Sequence, residues 1–360
     1  MVTQKTIARK LGVSPSLVSR ALCGTAGSIG ASEKTVLMIR TEAKRLNYAP
    51  NAAALTLRGS KSMTIGVVIK DFDDPFFGSM TGELQRLSHD KGFSLLLTGF
   101  DSERNQMDTS TLLRYHLDAL IICGSDTCAP WIRPFLKKGL PIVQIGSGST
   151  YPGINRVEMD EECGVSLLLG YLCSLGHKDI GFIGESSNPH KRRRQIVLEL
   201  MKKMGLKVKP HLAVSVPSGK NSGMIAMKTL LQGTGKGMPT AVISADDSMA
   251  QSGLRAVHDL GLSVPQDISL TGIDDIPSAS LMIPSLTTIR APIGMMVRAA
   301  FELVIEKAAV GGNATVLKFK PEIAIRESCS IERNNIEHSI RRGGNIQLRI
   351  GKKGMSKGKV

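Results

Sequence analysis

Apolar positions at the start of the chain recur with the period of α-helices. The pattern predicts one helix that ends at Gly12 and a second that begins after Ser14, a possible N-cap, with Pro15 in its first turn. The apolar positions of these two helices are Ile7, Ala8, Leu11, Leu17, Val18, Ala21 and Leu22. Two short helices joined by a Gly-containing turn form a helix-turn-helix, whose second helix fits the major groove of DNA. The alternative is an ordinary helical hairpin in the core of an enzyme.

The helical period resumes after a loop of small residues. It predicts a third helix over residues 32–46, with Ser32 as its N-cap, which would close a three-helix head. Residues 51–57 then form a short Ala-rich segment. So short a helix is marginal in isolation, and we expect it to fold only when it is docked. The segment is therefore a candidate switch.

Residues 63–330 alternate between apolar, β-rich runs and helical stretches. A first set of runs covers residues 65–69, 93–97, 119–122 and 141–145, and a second set covers residues 180–183, 241–243 and 268–273. Near-continuous apolar strands separated by helices indicate parallel sheets covered on both faces. Two such sets predict two α/β lobes. Ligands in open parallel sheets bind at the carboxyl ends of the strands, so a ligand site is expected there.

The charge of the chain is concentrated at its two ends. Of the formal net charge of +15, residues 1–62 carry +8 and residues 331–360 carry +6, so the 268 residues between them are nearly neutral. A near-neutral body with two basic ends predicts a polyanionic partner. Nucleic acid is the first candidate, and a membrane surface is the weaker alternative. The Gly/Lys/Arg composition of residues 331–360 predicts a disordered tail.

Several function classes find no support in the sequence. The six cysteines form no CxxC pair and have no His at zinc spacing, so we expect free thiols in a reducing cytoplasm and no metal. The first ten residues lack the apolar segment of a secretory signal, and no apolar run reaches the roughly 18 residues of a membrane span. Scattered histidines, without a GxSxG elbow or a Walker loop, argue against an enzyme and against a bound cofactor.

A series of motifs follows the helix-turn-helix. They are NYAPNAAALTL from Asn47, IGVVI from Ile65, DPFF from Asp74, LGHKDIGFIG from Leu175, ADDSMA from Ala245, VPQDISLTGIDDIP from Val264, PSLTTIR from Pro284 and RES from Arg326. Each motif is weak alone. In this order they cover residues 3–328, and the chain resembles the lactose-repressor (LacI/GalR) family of bacterial transcription factors.

The resemblance implies a domain organisation. In order, it implies a DNA-binding head, a hinge helix with its linker, and a two-lobed effector-binding and dimerisation domain, over residues 1–49, 50–62 and 63–330. The tail, residues 331–360, has no family counterpart. In the family each lobe is a doubly wound parallel sheet, as in periplasmic binding proteins, and the chain crosses between the lobes three times. Carried over, the crossings fall near Asp160, Arg290 and Pro321.

The second helix of the helix-turn-helix supplies the candidate DNA contacts. Its small polar residues would let the backbone approach the groove, and an arginine can bind the edge of a guanine. The positions expected to face DNA are Ser14, Pro15, Ser16, Ser19 and Arg20. In the hinge, the resemblance implies DNA contacts by Asn51, Ala54 and Leu57, with Leu57 wedged into the minor groove. Alternatively, Leu57 packs on the first lobe.

Four polar residues match effector contacts of the family, and they are Asp74, Arg193, Asp246 and Asp274. Carboxylates accept hydrogen bonds from sugar hydroxyls and a guanidinium donates to them, so this set suits a polyhydroxy ligand. Within the Arg192-Arg193-Arg194 run, the match to Arg193 could be shifted by one residue. Asp74 and Asp247 could instead be simple helix caps.

The chain departs from the family pattern at four positions near these contacts. Asp246 and Glu161 each stand where the family usually has Asn, and Ile196 stands in place of a usual Gly. Met224 occupies a position where an aromatic residue often stacks on the ligand. The resemblance therefore implies a sugar or sugar derivative without identifying it.

These features predict a cytoplasmic, nucleoid-associated repressor of carbohydrate-utilisation genes that is not an enzyme. It would bind a pseudo-palindromic operator in double-stranded DNA as a homodimer, because one small head contacts too few bases for genomic specificity. A small-molecule effector between the lobes would set its affinity for the operator. The alternative is a sugar-binding protein of the periplasmic type without a DNA function.

Overall fold

The computed structural model describes residues 2–22, 31–48, 61–99, 109–124, 130–146, 151–233, 237–305 and 314–332. The chain forms two compact units. One contains residues 1–64 together with residues 114–118, and the other contains the remainder of the chain. We call residues 2–48 of the first unit the head, and the second unit the body.

The described residues of the head form three helices, which are α1 (Gln4–Leu11), α2 (Pro15–Leu22) and α3 (Glu33–Arg45). Helix α1 ends at Gly12, whose φ of 66° lies in the left-handed region that glycine adopts without steric cost. Ser32 caps α3, since its side chain accepts a hydrogen bond from Thr35 N at 3.2 Å. The buried core of the head consists of Ile7, Ala8, Val18, Ala21, Ile39 and Ala43. The predicted helix-turn-helix and third helix are confirmed.

The body alternates strands and helices along the chain. Its first part contains β1 (Thr64–Ile69), α4 (Pro75–Asp90), β2 (Ser94–Gly99), α5 (Thr109–Arg114), β3 (Ala119–Cys123), α6 (Arg133–Lys137), β4 (Ile142–Ile145) and β5 (Asn155–Met159). Its second part contains α7 (Glu161–Ser174), β6 (Ile180–Glu185), α8 (Asn188–Lys203), β7 (Ala213–Val216), α9 (Ser222–Gln232), β8 (Ala241–Ser244), α10 (Asp247–Asp259), β9 (Ser269–Asp274) and β10 (Thr287–Arg290). Its last part contains α11 (Ile293–Ile305), β11 (Val316–Phe319) and β12 (Glu322–Ala324).

The described strands form two six-stranded sheets. The first sheet has the order β11-β5-β4-β3-β1-β2, and the second has the order β12-β10-β9-β8-β6-β7. The pairs of β1 with β3, β3 with β4, β4 with β5 and β5 with β11 are parallel. In the second sheet β6 to β10 pair in parallel, whereas β12 is antiparallel to β10. Both sheets therefore have the doubly wound order that was predicted, with one antiparallel edge strand in the second.

The chain passes between the two sheets at three places. It leaves the first sheet after Met159 and returns after Arg290, and it passes again between Phe319 and Glu322. Helix α11, which follows the second passage, packs against α4 and against β3, β4 and β5 of the first sheet. The backbone N–H of Asp160 donates to the Phe319 carbonyl at 2.8 Å, so the first and third connections lie side by side.

The seven apolar runs predicted as strands coincide with β1, β2, β3, β4, β6, β8 and β9. The apolar pattern does not predict the other five described strands. Strand β5 contains Asn155, Arg156 and Glu158, and its polar side chains interrupt the apolar run although the strand is largely buried. Strands β7, β11 and β12 lie at sheet edges, where one face meets solvent and the apolar run is short.

Two expectations about chemistry can be compared with the described part of the chain. Cys123, Cys163, Cys173 and Cys329 are free thiols there. The same part contains no cluster of His, Cys, Asp or Glu that could hold a metal ion. None of its helices combines the length and the apolar character needed to cross a lipid bilayer.

Candidate functional site

Helix α2 presents four of the five positions that were predicted to face DNA. Ser14 is its N-cap, because Ser14 Oγ accepts a hydrogen bond from Leu17 N at 3.1 Å. Pro15 occupies the first helical position, where a missing N–H costs no hydrogen bond. The exposed residues are Ser14, Pro15, Ser16 and Arg20. Two serines and one arginine therefore offer polar groups at the exposed side of the helix, with Pro15 between the serines.

Ser19, the fifth position predicted to face DNA, is buried, and its DNA contact stays a prediction. Only 5% of Ser19 is exposed, so its side chain does not share the open face of Ser16 and Arg20. Successive helical residues are rotated by about 100°, so Ser19 lies about 60° from Ser16 around the helix and about 100° from Val18, a fully buried residue of the head core. The helical spacing alone therefore allows Ser19 on the exposed face, and the packing of the head buries it.

Part of the positive charge of the head is engaged within the head itself. Lys10 Nζ lies 3.0 Å from Glu42 Oε1, and Arg45 Nε lies 2.8 Å from Glu42 Oε2. Arg45 and Lys10 together lower the pKa of Glu42 to about 2. Arg40 Nε donates to the Ala21 carbonyl at 3.2 Å, which ties α3 to the end of α2. These cations hold the helices together, while Arg20 on α2 is exposed.

The hinge contacts implied by the resemblance were Asn51, Ala54 and Leu57. All three lie outside the described residues, as does the tail from residue 333 onward. Their DNA contacts stay predictions.

A cavity of about 100 Å³ lies in the body at the carboxyl ends of strands from both sheets. Residues that follow β1, β3 and β4 line it from the first sheet, and residues that follow β6 and β8 or end β9 line it from the second. Its charged and titratable lining residues are Lys70, Asp74, Glu161, His190, Arg193, Asp246 and Asp274. Its larger apolar lining residues are Phe76, Phe77, Met80, Ile145, Met159 and Met296. The four residues predicted as effector contacts therefore line one cavity, at the strand ends where doubly wound sheets bind ligands.

Asp74 is positioned by the start of α4. Its Oδ1 accepts a hydrogen bond from Phe76 N at 2.9 Å, so Asp74 is the N-cap of this helix, with Pro75 in the first turn. Burial raises the pKa of Asp74, and the neighbouring carboxylate of Asp246 adds to the rise. Asp74 is therefore both a helix cap and a residue of the cavity, so the two interpretations of this position do not exclude each other.

Asp246 is held in place from two sides. Its Oδ1 accepts a hydrogen bond from Met249 N at 2.7 Å, which makes it the N-cap of α10. Its Oδ2 lies 2.9 Å from His190 Nε2. Because the backbone N–H of Glu185 donates to His190 Nδ1 at 3.0 Å, Nδ1 is an acceptor and the neutral imidazole carries its proton on Nε2. His190 therefore donates to Asp246 and orients it toward the cavity.

Asp247 was considered as a helix cap, and this interpretation is wrong because Asp246 is the cap. Asp247 is fully buried instead. Its Oδ2 accepts from Ile276 N at 2.9 Å, and its Oδ1 accepts from Thr288 Oγ1 at 2.5 Å. Burial raises the pKa of Asp247 well above its usual value, and nearby Asp274 adds to the rise. The residue joins α10 to β10 and the segment after β9, and it does not line the cavity.

Arg193 is the arginine of its run that lines the cavity. Its Nε lies 3.0 Å from Glu161 Oε1, and its Nη2 lies 3.3 Å from Asp274 Oδ1. Its Nη1 donates to the Ala245 carbonyl at 2.6 Å. Arg192 turns outward and its Nε lies 3.5 Å from Glu161 Oε2. One guanidinium therefore bridges the starts of α7 and α10 and the end of β9.

Asp274 reaches the cavity through an unusual backbone. Its φ of 114° and the φ of 56° at Asp275 both lie in the left-handed half of the map, which side chains other than glycine rarely adopt. The Asp275 carboxylate holds this turn, since Arg290 Nε and Arg326 Nη2 each lie 2.6 Å from one of its oxygens. These two ion pairs of Asp275 lie outside the cavity and stabilise the strained backbone at Asp274 and Asp275.

The environment of Asp274 changes its protonation. The residue is 7% exposed, and this burial raises the pKa of its carboxyl to about 7. The carboxylates of Asp246 and Asp74 raise it further, while the Arg193 guanidinium opposes the rise. Near neutral pH this carboxyl is therefore only partly ionised, mainly because it is buried.

Sequence reasoning missed several residues of the cavity. Lys70 follows β1 and His190 lies shortly after β6, and position behind a strand end is the signal that could have found both. Of the four departures from the family pattern, Asp246 and Glu161 line the cavity. Ile196 and Met224 are partly buried against the core of the body and do not line it. Whether a residue lines the cavity therefore depends on its position relative to the strand ends and not on its residue type.

Residues 169–329, which lie within the body, match the periplasmic binding protein-like domain. The HTH-type transcriptional regulator GalR of Escherichia coli (strain K12) is 31% identical over 340 residues, which cover 92% of this chain and 96% of GalR. The chain belongs to the LacI family of transcriptional regulators.

Two further LacI-family members extend the comparison. The ribose operon repressor of Escherichia coli (strain K12) is 30% identical over 313 residues, which cover 85% of this chain and 93% of that repressor. The solved lac repressor dimer, bound to operator and the anti-inducer ONPF, has a TM-score of 0.75 at 25% identity and covers 91% of this chain and 99% of its own. These matches include the head as well as the body. The alternative of a periplasmic-type protein without a DNA function is therefore set aside.

Proposed function

We propose that this LacI-family regulator is a homodimeric repressor of carbohydrate-utilisation genes, controlled by a sugar-like effector in the cavity of the body. The observation that carries the proposal is that Asp74, Arg193, Asp246 and Asp274 line one cavity between two sheets. A ligand that contacts both sheets stabilises one arrangement of the sheets over others. Ligand binding would therefore shift the protein toward that conformation. The name of the ribose operon repressor, a relative, supports a sugar as the class of effector.

The DNA side of the proposal rests on α2. Ser14, Ser16 and Arg20 would approach the major groove, with Arg20 on a base edge and Ser14 and Ser16 on the phosphates or base edges. A second head is needed because a single one contacts too few bases, and the solved lac repressor relative is a dimer on its operator. Asn51, Ala54 and Leu57 would join these contacts in the proposed hinge over residues 50–62.

The proposed mechanism links the cavity to the hinge. Effector binding would stabilise one relative position of the two lobes, which the chain joins at three connections. The change would alter the packing available to the hinge and withdraw Leu57 from the minor groove. Couplings of this kind typically change affinity by about 5–150-fold. The site of action would be operator DNA at the nucleoid, in the cytoplasm.

The first experiment tests DNA recognition with the full chain. Binding to a pool of randomised duplex DNA, followed by sequencing of the bound fraction, should enrich a site with two inverted half-sites. Recovery of a single half-site, or of no preferred sequence, would contradict the homodimeric repressor.

The second experiment tests the effector. The affinity for the enriched operator would be measured by fluorescence anisotropy in the presence of pentoses, hexoses and disaccharides, together with the unfolding temperature. We expect at least one sugar to raise the unfolding temperature and to change operator affinity. An Asp259→Asn variant, changed at the end of α10 away from the cavity, provides the control and should respond as the wild type does.

A further inference from the structure

The ionic composition of the cavity is unbalanced. Its acidic lining residues are Asp74, Glu161, Asp246 and Asp274, and its permanently charged bases are Lys70 and Arg193. His190 is neutral in the arrangement described above, because its Nδ1 accepts a backbone hydrogen bond. Four carboxyl groups therefore face two cations.

The cations are already shared among the acids. Arg193 contacts both Glu161 and Asp274, and its remaining amino group donates to the Ala245 carbonyl. Within the described residues, Glu161 Oε2 is buried without a hydrogen-bond donor, although Arg192 Nε lies 3.5 Å from it. Two guanidinium groups, those of Arg192 and Arg193, therefore contact Glu161, and Arg193 is also shared with Asp274, so Asp74 and Asp246 receive little of this positive charge.

The excess of carboxyl groups is located around Asp74, Asp246 and Asp274. Burial is the main reason for the raised pKa values of Asp74 and Asp274, and the Asp246 carboxylate adds to both. The pKa of Asp246 itself is lowered, because the hydrogen bond from His190 and its other favourable contacts together outweigh the effect of burial. Lys70 faces this group and offsets part of its charge. The wall formed by Phe76, Phe77 and Met80 supplies apolar surface beside it. An apolar wall next to several acceptors suits a ring with hydroxyl groups on its rim.

We infer that the effector is a hydroxylated ligand that carries an ammonium group, such as an amino sugar, and that the cavity rejects phosphorylated and carboxylated sugars. The inference rests on the proposed function, in which this cavity is the effector site. An ammonium group has three donors and no acceptor, so Asp74, Asp246 and Asp274 can satisfy it directly. A phosphate or carboxylate would bring a negative charge next to the carboxylates of the cavity, and like charges at close distance disfavour each other.

The test compares ligands that differ only in charge. Isothermal titration calorimetry on the full chain would use glucose, glucosamine and glucose 6-phosphate, and the corresponding galactose and mannose series. Within the stereochemical series that binds, we expect the amino sugar to bind about 10–100-fold more tightly than the neutral sugar, the lower part of the roughly 10–1000-fold effect of an opposite charge at close distance. The phosphate should bind more weakly than the neutral sugar.

Two variants remove the charge while they retain the helix caps. Asp74→Asn and Asp246→Asn each keep a side-chain oxygen for the N-cap hydrogen bond, so both should fold. Each should lower the ratio of amino-sugar to neutral-sugar affinity by about tenfold. Asp259→Asn makes the same chemical change at the other end of α10, outside the cavity, and should leave the ratio unchanged.

The outcomes separate this inference from the proposed function. If a neutral or phosphorylated sugar binds the wild type most tightly, the cavity is still an effector site but the inferred ligand class is wrong. The same holds if both cavity variants keep the wild-type ratio. If no sugar of any series binds, the proposed sugar-like effector is wrong, and this inference fails with it.

Discussion

The two candidate sites of this chain place opposite charges in opposite environments. Arg20 is exposed on α2, whereas Asp246 and Asp274 are withdrawn into a cavity around Arg193. An exposed cation keeps its hydration and acts on DNA over distances that salt screens. A buried carboxylate has lost water and depends on its few protein partners, so each of them matters more. We therefore expect DNA recognition to change by increments on mutation and ligand recognition to fail outright.

The largest effect is expected from Asp274→Ala. This change removes the carboxylate at the end of β9 and one of the two acidic partners of Arg193. The variant should lose its response to any sugar that changes operator affinity of the wild type, while it still binds the operator. Operator titrations with and without that sugar measure both properties. A response at the wild-type sugar concentration would show that Asp274 is not an effector contact.

Arg20→Ala tests the exposed side of the comparison. If Arg20 binds a base edge, the variant should lose about 1–3 kcal/mol of binding free energy on the specific operator. Its binding to random duplex DNA should change much less. Anisotropy titrations on both duplexes at one salt concentration decide the matter. Equal losses on the two duplexes would identify Arg20 as a phosphate contact.

A pH dependence of stability is expected from Asp274. Its pKa is about 7 in the folded protein and about 3.9 in an unfolded chain. Between these values the folded protein binds more protons than the unfolded chain, so the free energy of unfolding falls as the pH rises through this window. The charged groups that face Asp274 are Arg193, Asp246 and Asp74. Arg193 lowers the pKa of Asp274, whereas Asp246 and Asp74 raise it.

The variant for this prediction is Asp274→Asn, which lacks the titrating proton. Urea unfolding would be measured at pH 5 and at pH 7.5 for both proteins. Between these two pH values, the free energy of unfolding should fall by about 2 kcal/mol less in the variant than in the wild type. An equal fall in the two proteins would mean that Asp274 does not titrate in this range.

The smallest effect separates Ser16 from Ser19. Ser16 is exposed on α2 and Ser19 is 5% exposed, although both were predicted to face DNA. Ser16→Ala should reduce operator affinity by about 0.5–1.5 kcal/mol, the net value of one hydrogen bond. Ser19→Ala should leave operator affinity unchanged once folding is verified by circular dichroism. A larger loss from Ser19→Ala than from Ser16→Ala would contradict the assignment of the exposed face.

Prediction from sequence succeeded wherever the signal was local. Gly12 ends α1 and Ser14 caps α2 because a left-handed turn and a capping hydroxyl act within a few residues. The apolar strands at the centres of the sheets were found because both faces of such strands are covered. Strand β5 was not predicted because it contains buried polar residues. Glu158, for example, pairs with Lys318 on β11, and the sequence around Glu158 does not indicate this partner.

The cavity shows the limit of the sequence by itself. The sequence determined which side chains follow the strand ends, and the resemblance to a family selected four of them. Only the tertiary structure decided that Asp246 and not Asp247 caps α10, that His190 orients Asp246, and that Glu161 shares Arg193 with Asp274. The physical reason is that helix periods and caps act over a few residues, whereas hydrogen bonds and charges in a cavity join residues that are remote in the chain. The charge balance of this site exists only after the two sheets have folded.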